Sequence, residues 1–254
     1  MAALTLASIH PEIQATRQVV RNYQLTHAIP AGKYRFAGDS VGCKAIVKHL
    51  FGETANARSL LDIGFGLGDL ARIVKSDPQT SRCEVDGIDG FLDACCNEPL
   101  FAQRRYRNVW HGLAQELSAQ ILAGYDAICL FDVIEHLDAQ AARALLQHLL
   151  ASLGENSRLV ISTPLWFWPQ DHHHTGDLEE HLIAVPAQSL LGLNPVMFCV
   201  HSRFLVGTFV FTRRSLALID RFVPITDRQF GIDAGRAHLE SLNRKADDVV
   251  YFVA

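Results

Sequence analysis

The chain is predicted to be a doubly wound α/β protein: a mostly parallel sheet covered by helices on both faces, ending in an antiparallel hairpin. Three observations predict it. Short buried apolar runs alternate with helix-period segments between residues 59 and 163. A glycine turn joins the first such run to the first such helix. Two β-rich runs near the end are separated by only a few residues. Alternating strands and helices bury a parallel sheet between two helical layers, and closely spaced β-rich runs pair as a hairpin.

The elements follow in order. "DSVGCKAIVKHLFG" (39–52) reads as a helix, with Asp39 or Ser40 as N-cap and Gly52 near its end. "SLLDIG" (59–64) is a short buried strand. "LGDLARIVKS" (67–76) is a helix that places Leu67, Leu70, Ile73 and Val74 on one face. "CEVDGID" (83–89) is a strand, "GFLDACCNE" (90–98) is helical, and a weaker strand lies near 107–112. "YDAICLF" (125–131) is a buried strand, and "DAQAARALLQHLLASLG" (138–154) is a helix closed by Gly154. "SRLVIST" (157–163) is a strand stopped by Pro164, and "PVMFCVHS" with "LVGTFVFTR" makes the hairpin. No linker is evident, so residues 1–38 read as an N-terminal arm on one domain, 39–254.

Composition narrows the function. Of 254 residues, 49% are apolar and 20% charged, as a packed core requires. A formal charge of −4 gives no general pull towards nucleic acid. The one basic run, "QRRYRN" (103–108), reads as a solvated helix end or loop. The first residues lack the basic and apolar regions of a signal peptide, and no window is apolar enough to span a membrane. The six cysteines (43, 83, 95, 96, 129, 199) include no C-x-x-C pair and read as reduced thiols in a cytoplasmic protein.

A strand, a glycine turn and a helix form the nucleotide-binding corner of such a sheet. Dinucleotide enzymes want G-x-G-x-x-G. Here Gly64, Gly66 and Gly68 give G-x-G-x-G, and Asp69 occupies the place of the last glycine, where it would repel a pyrophosphate. No G-K-[ST] is present, so a P-loop is excluded. Asp62, directly under the turn, suits a cation, and therefore a ligand with an ammonium group and no phosphate. Asp89, 21 residues beyond Gly68, ends the next strand, where a carboxylate can accept ribose hydroxyls.

"LLDIGFGLG" resembles the first motif of class I S-adenosylmethionine-dependent methyltransferases. "VDGIDG", "YDAICLFDVIEHL" and "LVISTP" are similar to that family's second, fourth and fifth strands. The resemblance covers roughly residues 40 to 212 and implies the Rossmann-like, seven-stranded methyltransferase fold, with the hairpin as its antiparallel end. It implies S-adenosyl-L-methionine as cofactor, held by Asp62, Gly64, Phe65, Gly66, Gly68, Asp89, Gly90, Phe91 and Phe131. In the family the first acid helps hold the methionyl ammonium, and an apolar group such as Phe91 lies beside the adenine.

Methyl transfer to oxygen or nitrogen also needs a base. In "DVIEH", Asp132, Glu135 and His136 stand at i, i+3 and i+4 and would share one face of a helical turn. His172, His173, His174 and His181 follow the fifth strand, which neighbours the fourth in this sheet order. His136, His181 and Glu135 are therefore the catalytic candidates. Small-RNA 2′-O-methyltransferases carry a related E-x-x-E-H plus a downstream His as a metal site, which makes Asp132, Glu135, His136 and His181 an alternative metal set. Residues 163–181 also resemble bacterial methyltransferases with "P-Q" and "G-N-x-x-E-x-H" at this point. Trp166, Phe167 and Trp168 read as a packed lid or core edge, and Tyr23, Tyr34 and Phe36 as arm residues that would pack over the cofactor or the sheet.

The leading expectation is a methyltransferase for a small-molecule acceptor, at oxygen or nitrogen, with no nucleic acid or membrane as partner. The alternatives are a metal-assisted RNA 2′-O-methyltransferase, a non-catalytic S-adenosylmethionine-binding protein and a nicotinamide oxidoreductase.

Overall fold

The computed structural model of the chain describes residues 24–30, 44, 46–50, 58–171, 178–201, 205–241 and 248–253. Within these, one sheet of nine strands runs through the molecule. The strands are β1 (Gln24–Pro30), β2 (Ser59–Ile63), β3 (Glu84–Asp89), β4 (Asn108–His111), β5 (Ala127–Phe131), β6 (Arg158–Pro164), β7 (Met197–His201), β8 (Val206–Phe211) and β9 (Asp248–Val253). Their spatial order is β1-β9-β7-β8-β6-β5-β2-β3-β4.

β2 to β6 pair in parallel, and β8 pairs antiparallel with β6 and with β7. This is the expected seven-stranded, doubly wound arrangement with its antiparallel end. β9 and β1 extend it beyond β7 by antiparallel pairing. The extension joins residues at opposite ends of the sequence, which no local pattern announces. Of the N-terminal arm, residues 24–30 make this edge strand. Tyr23, Tyr34 and Phe36 lie outside the described residues, as do the caps expected at Asp39, Ser40 and Gly52.

The central strands β2, β5 and β6 are buried on both faces, so successive residues serve different layers. Leu60 joins one apolar cluster and Leu61 the other; Cys129 and Ile128 divide in the same way. On one side α1 (Val47–Leu50) and α2 (Asp69–Ser76) contribute Val47, Leu70, Ala71 and Val74. On the other lies α3 (Ala139–Ser152), with Leu145, Leu146, Leu149 and Leu150 all buried. Each such side chain contributes about 1.5–3 kcal/mol by leaving water.

Two local expectations change. The sequence places Leu67 on one face with Leu70, Ile73 and Val74 in the helix predicted over 67–76, yet it is 82% exposed. The backbone at Gly66 and Gly68 is left-handed, so the helix starts only at Asp69 and Leu67 belongs to the turn. In the basic run, Arg107 is structural: its guanidinium grips buried Asp86 of β3 at 3.0 and 2.5 Å and so pins β4 to the sheet. Cys83, Cys129 and Cys199 are buried free thiols. No helix of the described residues is long and apolar enough to cross a membrane.

The chain runs outward through β2, β3 and β4, then returns to place β5 on the other side of β2. Connections therefore leave in opposite directions at the ends of β2 and β5, which opens a crevice there.

Candidate functional site

That crevice is a cleft of about 560 Å³ lined by Asp62, Gly64, Phe65, Gly66, Asp89, Gly90, Phe91, Phe131, Asp132 and His136, among others. Its floor is the glycine turn. Gly64 has φ +66°, and a Cβ there would stand 2.5 Å from a methyl of Val133. At Gly66 (φ +47°) nothing lies within 4 Å of where a Cβ would be, so the backbone is left open to a ligand's approach.

Asp62 is 2% exposed at the end of β2. The Tyr106 hydroxyl donates to its Oδ2 at 2.7 Å. Burial pushes its pKa up to about 7, even though that hydrogen bond and the charge of Lys44 pull the other way. Sequence reasoning missed both partners. Tyr106 is the lone aromatic of the basic run, and Lys44 looks like any other lysine on a helix. Tyr106 also packs with Phe65 and Phe101, at centroid distances of 5.3 and 6.3 Å, so an aromatic plug supports the turn from beneath.

Asp89 lines the cleft from the end of the neighbouring strand β3. Its Oδ2 accepts from the Gly66 N–H at 3.0 Å and its Oδ1 from the Phe91 N–H at 2.8 Å. Each oxygen keeps a second lone pair. The acid therefore locks the turn to β3 and retains acceptor capacity. Exposed Leu113 and Leu178 add apolar surface at this end of the cleft.

At the end of β5, Asp132 adopts φ +56°, a conformation that Asp tolerates better than most residues. Its N–H reaches Ser162 O at 2.9 Å, the Ser162 hydroxyl donates to its Oδ1 at 2.8 Å, and Lys44 Nζ lies 2.9 Å from Oδ2. A 3₁₀ turn, Ile134–His136, follows. The segment after β6 docks on this turn: the N–H groups of Leu182 and Ile183 both donate to Glu135 O. This docking brings the two predicted clusters together. His136 and His181 meet edge to face, with centroids 4.6 Å apart.

Glu135, His136 and His181 offer ligand atoms within 4.8 Å of one another; Asp132 stands outside this group, engaged with Lys44. His172, His173 and His174 lie outside the described residues. Of the three catalytic candidates, His136 lines the cleft, and His181 and Glu135 are buried beside it at 5% and 2% exposure. His136 Nδ1 is 3.1 Å from Glu180 O, and His181 Nδ1 is 2.8 Å from Trp168 O. A carbonyl can only accept, so each Nδ1 carries its hydrogen and each neutral ring keeps its lone pair on Nε2. Burial, with His136 alongside, lowers the His181 pKa to about 4. Glu135 is raised well above the usual carboxylate range by burial and by the charge of Asp132. Its Oε2 accepts from Thr163 at 3.0 Å, and its buried Oε1 finds no hydrogen-bond partner among the described residues. Trp166 and Phe167 are packed inside, and Trp168 alone of the three is exposed, so this stretch is a core edge.

A family model described as a methyltransferase domain matches residues 35–217. The chain belongs to this methyltransferase family. Its glycine turn and sheet order are those of the class I S-adenosylmethionine-dependent methyltransferase fold. No curated protein matches the sequence significantly. Among solved structures, the small RNA methyltransferase HEN1 superposes with a TM-score of 0.51 at 16% identity, over 71% of this chain and 26% of that one. Coclaurine N-methyltransferase gives 0.44 at 14% identity, over 83% and 70%. The PH0226 protein of Pyrococcus horikoshii OT3 gives 0.40 at 16%, over 48% and 56%, so the chain spans little more than half of that protein's length. At these identities the likeness is one of fold.

Proposed function

We propose that this methyltransferase acts on an oxygen or nitrogen of a small molecule, with His136 as the group that takes the acceptor's proton. Supporting the cofactor's placement are two acids that line one cleft, Asp62 beneath an open glycine turn and Asp89 bonded to its Gly66 N–H. Asp62 would face the methionyl ammonium and Asp89 the ribose hydroxyls. Gly64 and Gly66 would give close backbone approach, Gly68, left-handed and backed by Leu100 outside the lining, would only shape the turn, and Phe91, Gly90 and Phe131 supply the remaining wall. Phe65, packed on Tyr106, holds the turn in shape. Bound there, S-adenosylmethionine supplies a methyl group on a cationic sulfur.

The observation that carries the base is the fixed tautomer of His136: its Nδ1–H is committed to Glu180 O, which leaves a basic Nε2 on a side chain lining the cleft. His181, neutral beside it, sets the ring's position without adding charge. Glu135 anchors the 3₁₀ turn through Thr163. The acidic lining and the formal charge of −4 favour a small acceptor over a polyphosphate one.

One observation favours a second version, metal-assisted transfer. Glu135 Oε1 is buried and without a hydrogen-bond partner among the described residues, and one carboxylate oxygen of Glu135 lies within 4.8 Å of ligand atoms of both histidines, as a metal site requires. A divalent ion there would supply Lewis-acid chemistry towards an acceptor oxygen.

Methyl transfer from radiolabelled cofactor to a panel of phenols, catechols and amines tests both. His136→Ala is expected to lower turnover roughly a hundredfold or more at unchanged cofactor affinity, the usual scale for a positioned base. Exhaustive chelation abolishes activity in the metal version alone. Normal turnover of His136→Ala with intact cofactor binding would leave the cluster a structural role only.

A further inference from the structure

A second cavity, of about 600 Å³, is walled by Leu165 and Trp166, which follow β6, and by one face of α4 (Arg228–Ser241). Among the described residues it shares no lining side chain with the cofactor cleft. α4 presents Gly231, Ala234 and Gly235 to it, at i, i+3 and i+4. A Cβ at Gly231 would stand 2.7 Å from Cβ of Phe167, and one at Gly235 2.1 Å from Cε3 of Trp166, so the helix lies directly on these two aromatic residues. Ala234, on the same face, is exposed and fills little space.

The lining is apolar with one exception. Val223 and Phe230 are 61% and 60% exposed, and Ile225 and Pro186 continue the apolar surface. Arg221, which ends the 3₁₀ helix Arg213–Arg221, is the sole charged residue of the described lining. It is exposed and has no ion-pair or hydrogen-bond partner for its guanidinium among the described residues; Asp220, beside it in sequence, is taken by Arg143 at 3.1 Å. Trp166, 8% exposed, keeps a buried indole N–H without a hydrogen-bond partner among the described residues. Buried donors are normally paired, so this wall lacks an acceptor as it stands.

We propose that this cavity is a second small-molecule site, for an apolar monoanion: a molecule with an aromatic or aliphatic body and one carboxylate or sulfonate group, which Arg221 receives. The body would take Val223, Ile225 and Phe230 out of water, the main gain in such binding. The planar fork of a guanidinium suits the anionic group. A polyphosphate would find no second cation among the described lining residues. Charge also keeps the two sites apart. The cofactor cleft is lined chiefly by carboxylates, which repel such an anion, whereas the one charge here is positive.

Fluorescence titration of the full chain with two probes of one skeleton tests the site. Anilinonaphthalene sulfonate carries the anion, and phenylnaphthylamine lacks it. Arg221→Gln should weaken the sulfonate roughly five- to tenfold, between the effects of an exposed ion pair and of a charged hydrogen bond, and leave the uncharged probe within about twofold. Ala234→Trp, at an exposed helix position, should fill the cavity and weaken both probes by more than about tenfold, with thermal unfolding showing that the variant is folded. Saturating S-adenosylhomocysteine should displace neither probe. Sulfonate affinity unchanged by Arg221→Gln would overturn the proposal, and this exposed substitution decides the matter even if Ala234→Trp fails to fold. Equal weakening of the charged and uncharged probes by Arg221→Gln would overturn it too, showing an apolar surface without charge selection. So would displacement of the sulfonate by S-adenosylhomocysteine, which would put the probe in the cofactor cleft, or a wild-type chain that binds neither probe.

Discussion

Buried under the glycine turn, Asp62 ionises only near pH 7, because desolvation outweighs its hydrogen bond from Tyr106. An arriving ammonium favours the charged carboxylate, so binding releases a proton whenever the free chain is below that pH. Cofactor affinity should therefore rise with pH up to about 7 and level off above it, approaching tenfold per pH unit on the acid side. Binding titrations from about pH 5.5 to 8.5 check this, and a flat profile would show Asp62 ionised throughout. The same raised pKa acts on folding in the opposite sense. The native state holds this proton more tightly than the unfolded chain, whose aspartates titrate near 3.9. The group's contribution to stability is thus full below about pH 4 and is lost as pH rises through about 7. Asp89 has a different job, joining the turn to β3 through Gly66 and Phe91. Asp89→Ala should cost about 1.5–3 kcal/mol of cofactor binding. Unchanged affinity would take Asp89 out of the site.

Elements whose signals are local were legible in the sequence. Helix α3 was expected over 138–154 and runs Ala139–Ser152, because its apolar period and its cap both lie within the segment. The Asp138 carboxylate accepts from the Gln140 and Ala141 N–H groups at 2.9 and 2.8 Å. Asp138→Ala should lower stability by about 1 kcal/mol, read from denaturant midpoints, and leave cofactor affinity unchanged. A loss of affinity would mean that the helix start positions the preceding His136 turn. The cofactor corner was legible for the same reason: acid, glycines and second acid sit at strand ends that periodicity locates. What escaped was set by distant partners. Tyr106 meets Asp62 across 44 residues, and Lys44 acquires its meaning only when β5 delivers Asp132 beside it. The pairing of β1 with β9 spans almost the whole chain. Leu67 misled because its hydrophobicity fits the helix period, whereas the left-handed glycines on either side keep it out of the helix.

At the scale of the molecule, charge separates the acceptor classes. An enzyme for duplex RNA must gather phosphates around its active cleft with lysines and arginines, and the released counterions make its affinity fall steeply with salt. This chain carries a formal charge of −4, and among the described residues its cleft presents five carboxylates, with Lys44 already bound to one of them. Arg107, from the most basic stretch, is turned into the sheet edge against Asp86. The likeness to HEN1 lies in the fold and does not carry its substrate across. A short RNA duplex should therefore bind weakly at low salt, and raising salt should change the binding little, as measured by fluorescence anisotropy with labelled RNA. Small-molecule methylation should likewise be nearly insensitive to added sodium chloride, since exposed charges steer such an acceptor only weakly. Tight RNA binding that collapses between about 50 and 200 mM salt would contradict this reading, since phosphate-binding proteins lose affinity over that range. It would move the acceptor to nucleic acid and strengthen the metal version of the Glu135, His136 and His181 cluster.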